Sequence, residues 1–210
     1  MVSPVNRTKQ ADKARQTRRR ITGAAHDLFT EHGYGATTLR DVADRAGVAV
    51  QTIYFTFGNK RSLLKEVVDT SIAGDDQPIA TMDRAWFRDA LAAADAHALL
   101  RQLVQGTRQI IARVAPMMDV LRTAAATDPE VARLWPQDAD PRYTVHLAAA
   151  RALAGKPGAR PGVSAEHAAD LLYGLLSPEL YRLYVRDRGW TADSWEHWTY
   201  QTLCSQLCDG

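Results

Sequence analysis

The residue types that support catalysis or hold metal ions are scattered through this 210-residue sequence. Its six histidines include no pair at the i, i+4 spacing with which a helix presents two metal ligands. The motifs H-E-x-x-H and G-x-S-x-G and the phosphate-binding P-loop are also absent from the sequence. We therefore expect no enzymatic activity, no cofactor and no metal ion. Cys204 and Cys208 are interpreted as reduced thiols that pack as small helical hydrophobes, with a redox sensor as the alternative.

The charged residues indicate a different chemistry. Residues 1–65 contain 12 Lys and Arg against 5 Asp and Glu, a balance of +7. Residues 66–210 contain 14 against 19, a balance of −5, so the net charge of +2 is a cancellation. A basic N-terminal segment points to a polyanionic partner at that end of the chain. Four of its arginines either form a solvated helix face or contact phosphates, in part through a flexible arm: Arg15, Arg18, Arg19 and Arg20.

Composition and length limit the class of protein. With 46% hydrophobic and 24% charged residues, the chain has the composition of a globular protein, and its length suits one large domain or two smaller ones. The sequence contains no apolar stretch of the roughly 18 residues that a membrane span needs. The basic N-terminus also lacks the apolar segment of a signal peptide. We therefore expect a cytoplasmic protein that does not contact membranes.

Helical periodicity must position these residues, because it runs through the chain and strand patterns are nearly absent. The sequence predicts an all-α fold with a disordered arm at residues 1–10. The first helix is expected at 11–32 and ends at Gly33, and a short second helix lies between Thr38 and Gly47. The remaining helices are predicted at 50–57, 60–73, 83–94, 97–114, 116–126, 129–135, 142–154, 164–176, 178–186 and 192–207.

Helix starts are marked by capping side chains. Thr38 can cap the second helix with Asp41 at its third position, and Asn59 can cap the fourth. Three later helices have the same kind of signal, at Asp128, Ser177 and Thr191. Ala49 has no side-chain oxygen, so the helix at 50–57 is predicted to lack a cap.

Residues 37–65 have the outline of a helix-turn-helix: two short helices joined at a glycine and preceded by a longer helix. Gly47 suits the unusual backbone angle of the turn, and Ala43 lets the two helices approach closely. An ordinary corner between two helices is the alternative.

The run Thr37–Leu64, TTLRDVADRAGVAVQTIYFTFGNKRSLL, closely resembles the DNA-binding region of the tetracycline-repressor (TetR) family of bacterial transcriptional regulators. The resemblance extends from Arg18 to Asp69, and the tail Ser177–Trp198 resembles one branch of the family. It implies a three-helix DNA-binding domain at residues 1–65. A fourth helix would join it to a helical ligand-binding and dimerisation domain at 66–210.

The resemblance implies that the helix at 50–57 is the recognition helix. There Gln51 suits an adenine edge, Val50 a thymine methyl, and Thr52 a phosphate or a base. Arg40 matches a position that reads a base, with a solvated charge as the alternative. Positions that contact the DNA backbone are matched by Thr38, Tyr54, Phe55 and Lys60. Tyr54 could instead be a core residue, and two departures from the family, Ala49 and Thr56, weaken any contact from those positions.

The C-terminal region is expected to supply a homodimer, because dimeric readers join two half-sites on one operator. By resemblance the helices at 164–176 and 192–207 form the interface. Their apolar stripes, which could equally pack in the subunit core, are Ala168, Leu171, Leu172, Leu175, Trp195, Trp198, Leu203 and Leu207.

By resemblance the middle helices enclose a cavity for a small apolar or amphipathic ligand. Core packing is the alternative for each candidate, and a hydrogen-bonded core histidine is the favoured interpretation of His146. The candidates are Trp86, Phe87, Leu103, Met117, Met118, Leu121, Trp135, Tyr143, His146 and Tyr173. The expected function is a ligand-responsive repressor. The alternatives are an activator, a ligand-independent repressor, or a helical enzyme or ligand carrier with an incidental helix-turn-helix.

Overall fold

The fold is seen in a computed structural model that describes residues 4–75, 77, 79–134 and 140–209. Within these residues it contains helices and no β-strand, which confirms the predicted all-α class. No described helix is both long and apolar enough to cross a membrane. The helices are α1 Pro4–Ala36, α2 Leu39–Ala46, α3 Val50–Phe57, α4 Lys60–Ala73, α5 Ala85–Leu91, α6 Ala96–Thr127, α7 Pro129–Ala132, α8 Pro141–Ala154, α9 Ala165–Leu175, α10 Pro178–Arg182 and α11 Ala192–Leu207.

Helix α1 is longer than expected at both ends. It begins at Pro4, so the predicted disordered arm is wrong for residues 4–10, which lie in a segment rich in helix formers such as Lys, Arg, Gln and Ala. Gly33 leaves the helical conformation, with φ 82° and ψ 160°, as a glycine stop predicts. The backbone then resumes a helical turn up to Ala36.

The two helices predicted on either side of Pro116 form the single helix α6. Proline removes one N–H donor from the helix and commonly breaks it. Here the Pro116 ring is exposed, whereas Val114, Met117 and Val120 around it are buried. Burial of these side chains favours a continuous helix over the break that local propensity predicts.

The helix predicted at 178–186 is divided. Helix α10 continues into a π-helical turn, Leu183–Asp187, in which the Arg188 N–H donates to the Leu183 carbonyl at 3.0 Å.

The capping predictions are confirmed at Thr38, Asn59, Asp128, Ser177 and Thr191. Ala49 provides no side-chain cap, also as predicted.

The chain folds as two compact units. The first is Met1–Ser71 with Pro116–Trp135, and the second is Ile72–Ala115 with Pro136–Gly210. The first core joins α1–α4 to Met117, Val120, Ala124 and Val131. The second core is built on α5, on the first part of α6 and on α8–α11. The first unit thus includes residues 66–71 and 116–135 together with the N-terminal helices. The predicted boundary at residue 65 between a DNA-binding domain and a ligand-binding domain stays a prediction.

Candidate nucleic-acid interface

The start of α2 is fixed by a reciprocal capping box. The Asp41 N–H donates to Thr38 Oγ1 at 3.2 Å, and the Thr38 N–H donates to Asp41 Oδ2 at 2.8 Å. The Thr38 hydroxyl also donates to this carboxylate, which lowers the pKa of Asp41. Just before it, buried Thr37 donates to the carbonyls of Leu28 and Gly33 at 3.1 and 2.9 Å. The entry to α2 is therefore held by bonds close in sequence.

The turn between α2 and α3 depends on Gly47, which has left-handed backbone angles of φ 63° and ψ 46°. The Arg20 guanidinium donates to the carbonyls of Ala46 and Gly47. A Cβ atom on Gly47 would lie 2.8 Å from Arg20 Nη2. Arg20 therefore braces the turn, a role that its position in a basic run did not reveal.

Helix α3 has two distinct faces. Ile53 and Phe57 are buried in the first core, and Gln51, Tyr54 and Phe55 point outward. Phe55 is 95% exposed and Tyr54 is 54% exposed, so Tyr54 is a surface residue rather than a core residue. Side chains at this i, i+3, i+4 spacing form one surface. The outward face of α3 thus presents an amide and two aromatic rings.

Two half-buried residues flank this face on α3. Val50 packs against the first core, and the Thr52 carbonyl accepts a hydrogen bond from the Thr56 hydroxyl at 2.7 Å. The Thr56 hydroxyl therefore donates its hydrogen bond within α3. On α2, the side chain of Arg40 is exposed.

Basic residues around the helix-turn-helix differ in their surroundings. The half-buried ammonium group of Lys60 lies over the Tyr34 ring, 4.2 Å from its centroid, and burial lowers the pKa of Lys60. Arg18 forms an ion pair with Glu66 at 2.7 Å and lies over the Phe57 ring. Arg18 therefore joins α1 to α3 and α4.

The structure brings all eight predicted DNA-binding residues into the first unit, and their contact with DNA stays a prediction.

A second joint in the first unit involves Arg61 and Asp128. Arg61 Nε lies 2.7 Å from Asp128 Oδ2, and this hydrogen bond lowers the pKa of Asp128. The same carboxylate caps α7 by accepting from the Glu130 N–H at 3.1 Å. The start of α4 is thereby attached to the junction of α6 and α7. No local pattern could show this contact, because its partners are far apart in sequence.

The predicted ligand-binding residues do not all lie in one unit. Met117, Met118 and Leu121 belong to the first unit, where Met117 is fully buried, and Trp135 lies outside the described residues. In the second unit Phe87 and Leu103 are buried in the core, and Trp86 packs against Phe87. Ligand contact by these residues stays a prediction.

The remaining candidates form an aromatic cluster in the second unit. The Tyr173 ring lies 5.9 Å from Tyr143 and 6.1 Å from His146, and the Tyr173 hydroxyl donates to Asp140 at 2.6 Å. His146 is 3% exposed, and burial, aided by Arg142, lowers its pKa to about 4. Its Nδ1 atom has no hydrogen-bond partner within the described residues, so the prediction of a hydrogen-bonded histidine is wrong for that atom.

A polar pocket of about 170 Å³ lies between α6 and α11. None of the predicted ligand-binding residues lines it, and it is smaller than the roughly 300–1,000 Å³ of typical ligand sites. Its Arg108 already pairs with Asp193 and Glu196, at 2.7 and 2.5 Å. The lining residues are Arg101, Val104, Arg108, Asp193, Glu196, His197 and Tyr200.

The predicted dimer stripes are partly used inside the subunit. Their half-buried members are Leu171, Leu175 and Trp198. The buried members are Ala168, Leu172, Trp195, Leu203 and Leu207. Dimerisation through α9 and α11 stays a prediction.

The two cysteines are free, and burial raises the pKa of the Cys208 thiol to about 12.

Comparison with known proteins relates the helix-turn-helix segment to one family of bacterial regulators. The profile of the family described as bacterial regulatory proteins, tetR family, matches residues 21–67. The HTH-type transcriptional regulator TtgR of Pseudomonas putida is 41% identical over 66 residues, which are 31% of this chain and 30% of TtgR. The match thus spans less than a third of that relative.

Two further comparisons cover more of the molecule. The uncharacterized HTH-type transcriptional regulator TtgW, also of Pseudomonas putida, is 32% identical over 91 residues, which cover 42% of this chain and 68% of TtgW. The structure of NalD, the secondary repressor of the MexAB-OprM multidrug efflux pump in Pseudomonas aeruginosa, superposes with a TM-score of 0.60 at 18% identity. That superposition covers 91% of this chain and 96% of NalD, so the fold is shared along nearly the whole length.

Proposed function

Because the chain belongs to the TetR family of bacterial regulatory proteins, we propose that it is a transcriptional regulator that binds operator DNA through α3. The observation that supports this function best is the outward face of α3. Gln51, Tyr54 and Phe55 share that face, and Ile53 and Phe57 fix the opposite face in the core. A rigid helix that presents hydrogen-bonding and aromatic groups outward is suited to the major groove.

The side chains divide into base readers and backbone contacts. The Gln51 amide can form two hydrogen bonds with an adenine edge, and exposed Arg40 can form two with guanine. Phosphate contacts from Thr38, Tyr54 and Lys60 would fix the register of the protein without reading sequence. The net charge of +7 in residues 1–65 favours this half of the chain as the one that approaches phosphate.

The variant Gln51→Ala tests base reading. With an operator selected from random DNA, we expect the variant to bind it about 5- to 150-fold more weakly, the range for one bidentate base contact. Affinity for unrelated duplex DNA should change little, since that binding depends on phosphate contacts. Gln201→Ala, an exposed glutamine of the second unit, is the matched control.

Two outcomes count against the proposal. Equal loss of affinity for the operator and for unrelated DNA would show that Gln51 does not read a base. If the unmodified protein binds no duplex DNA at low salt, the DNA-binding function itself is rejected.

We infer that the active form is a homodimer on two half-sites, joined through α9 and α11. The side chains of Leu171, Leu175 and Trp198 pack against the second core but remain partly exposed, unlike the other members of the predicted stripes. Leu175→Glu should shift the protein from dimer to monomer in analytical ultracentrifugation and shorten the DNA footprint to one half-site. Glu166→Lys, at an exposed position of the same helix that does not share the i, i+4 spacing of Leu171 and Leu175, should not. A dimer that persists in Leu175→Glu would place the interface elsewhere.

The second unit is proposed to bind a small amphipathic ligand. On α11, Trp195 Nε1 and Thr199 Oγ1 are buried without hydrogen-bond partners in the described part of the chain. Their i, i+4 spacing places them on one face of the helix. An apolar site with a few unpaired polar atoms is the chemistry that recognises an amphipathic molecule. Neither residue was among the ligand-binding candidates chosen from sequence.

Thr199→Val tests this site. A compound that raises the melting temperature of the protein in a screen should bind the variant about 5- to 10-fold more weakly, the effect of one lost hydrogen bond. Thr202→Val is the control, because the Thr202 hydroxyl already donates to the Trp198 carbonyl at 2.8 Å. Equal affinity for both variants would place the ligand elsewhere.

Repression is the proposed regulatory outcome, and the similar fold of the repressor NalD supports it. A ligand that prefers one arrangement of the dimer would lower DNA affinity by linkage. Deletion of the gene should raise transcription from the bound promoter in a reporter assay. A fall in transcription would identify an activator instead.

A further inference from the structure

Three residues with metal-ligating side chains meet in the second unit. Cys204 and Cys208 lie one helical turn apart at the end of α11, and His97 lies in the first turn of α6. The two sulfur atoms and an imidazole nitrogen all lie within 4.8 Å of one another. His97 is exposed, Cys204 is half-buried and Cys208 is buried, so the group lies at the surface with one side closed.

The loop at 155–162 holds the two helix ends together. The Ala96 N–H donates to the Pro157 carbonyl at 2.9 Å, and the Asp209 N–H donates to the Gly158 carbonyl at 3.1 Å. Ala159 forms an isolated antiparallel bridge with Cys208. The first turn of α6 and the end of α11 are therefore both attached to one loop, next to the three side chains.

Arg160 strengthens this attachment. Its N–H donates to the Leu207 carbonyl at 2.8 Å, and its guanidinium donates to the carbonyls of Cys208 and Ser205 at 3.0 and 2.8 Å. A cation that binds the last carbonyls of a helix is a favourable C-terminal cap. Cys208 is thus held in its extended conformation by backbone bonds that do not use its thiol.

We propose that Cys204, Cys208 and His97 bind one transition-metal ion of the zinc class. Two sulfur ligands and one imidazole are a donor set that zinc uses in proteins. Tetrahedral coordination needs ligand atoms about 3.5–3.8 Å apart. A contraction of about 1 Å, within the reach of side-chain rotation, would therefore form the site. The proposal replaces the expectation of no metal ion, which rested on histidine spacing alone.

Ion binding displaces the proton of each thiol, because thiolate is the ligand form. The fourth position would be taken by water or by the neighbouring carboxylate of Asp209. A Cβ atom on Gly158 would lie 3.3 Å from Asp209 Oδ1 and 3.8 Å from His97 Cδ2, so the two side chains border the same glycine. The three ligands come from two helices that are far apart in sequence.

Cobalt binding tests the proposal on the full chain, without a histidine tag, reduced and freed of metal by a chelator. One Co²⁺ per chain should bind, with a thiolate-to-cobalt charge-transfer band and the intense visible bands of tetrahedral cobalt. Zinc should displace cobalt and raise the melting temperature of the protein. A cobalt spectrum without the thiolate band would overturn the proposal.

Single substitutions identify the ligands. His97→Gln and Cys204→Ser should each weaken zinc binding by more than about 100-fold, beyond the effect of changing an outer-shell partner. His97 is exposed, so its variant should keep its far-ultraviolet circular dichroism spectrum. His167→Gln, an exposed histidine elsewhere in the unit, is the matched control and should bind zinc normally. Unchanged zinc affinity in both ligand variants would overturn the proposal.

Thiol chemistry provides an independent test. Mass spectrometry of the reduced protein in air should show that zinc protects Cys204 and Cys208 from oxidation. A Cys204–Cys208 disulfide that forms equally fast with and without zinc would overturn the metal site and favour a redox pair.

Discussion

The two units differ in how their buried polar atoms are satisfied. In the first unit the Thr37 hydroxyl is paired with two carbonyls, and Arg20 pairs with the turn carbonyls. In the second unit, within the described residues, His146 Nδ1, Trp195 Nε1 and Thr199 Oγ1 are buried without partners. Hydrogen bonds within the first unit therefore pair these polar groups and fix its helix-turn-helix, whereas the second unit contains buried polar atoms that form no hydrogen bond in the described residues.

This difference has an energetic consequence. A buried donor or acceptor without a partner costs about 1–3 kcal/mol of stability. The second unit therefore gives up stability that a ligand or water could restore, and no described side chain of the first unit has a buried polar atom in this situation. This property of the second unit is the one that the proposed ligand site would use.

The largest expected effect is the acid sensitivity contributed by His146. The unfolded chain binds a proton near the usual pKa of 6.5, whereas burial holds the folded pKa at about 4. Between these values the unfolded state binds more protons, so stability falls as the pH falls from 6.5 to 4. The full loss is about 3 kcal/mol. His146→Leu should reduce this slope in urea unfolding measured at several pH values.

The comparison between units would weaken if His146→Leu kept the same acid slope. His167→Gln serves as the control for loss of a histidine, because His167 is exposed in the same unit. The Asp140 carboxylate, which faces His146 with Arg142, opposes the shift and limits its size.

A matched pair of glycine substitutions compares packing in the two units. A Cβ atom on Gly106 in α6 would lie 2.3 Å from the Trp86 indole, so Gly106→Ala should lower stability by about 1–3 kcal/mol. Nothing lies within 4 Å of a Cβ atom on Gly23 in α1, so Gly23→Ala should raise stability by about 0.5–1 kcal/mol. Thermal unfolding followed by tryptophan fluorescence measures both. The same sign in both variants would contradict this packing.

The smallest effect concerns the cap of α2. Thr38→Ala removes the side-chain half of the capping box, the bond from the Asp41 N–H to Thr38 Oγ1, and should cost about 1 kcal/mol. Hydrogen exchange should show faster opening of α2 with little change in the second unit. Thr38→Ser keeps the hydroxyl and should retain most of the protection. Equal opening in both units would mean that the first unit is not locally specified.

Local signals in the sequence were enough to predict the helix-turn-helix. The Thr38–Asp41 pair, Gly47 and the spacing of Ile53 and Phe57 each act within a few residues, and the structure confirms each of them. Their agreement explains why the elements of the first unit could be placed so closely.

The rest depends on contacts between distant residues. The bond of Arg20 to the turn and the pair of Arg61 with Asp128 join residues that no spacing rule connects. The continuity of α6 through Pro116 depends on burial rather than on propensity. His97 meets Cys204 only because a loop holds two helix ends together, so histidine spacing within one helix could not reveal the cluster.

The discontinuous first unit affects biosynthesis. Its core includes Met117, Val120, Ala124 and Val131, which are synthesised after the first 44 residues of the second unit, Ile72–Ala115. During synthesis, the helix-turn-helix therefore keeps apolar surface exposed until the end of α6 has been made and can complete the core. A fragment that ends at Ser71 would keep that surface exposed, so the helix-turn-helix should not fold stably as a simple N-terminal segment.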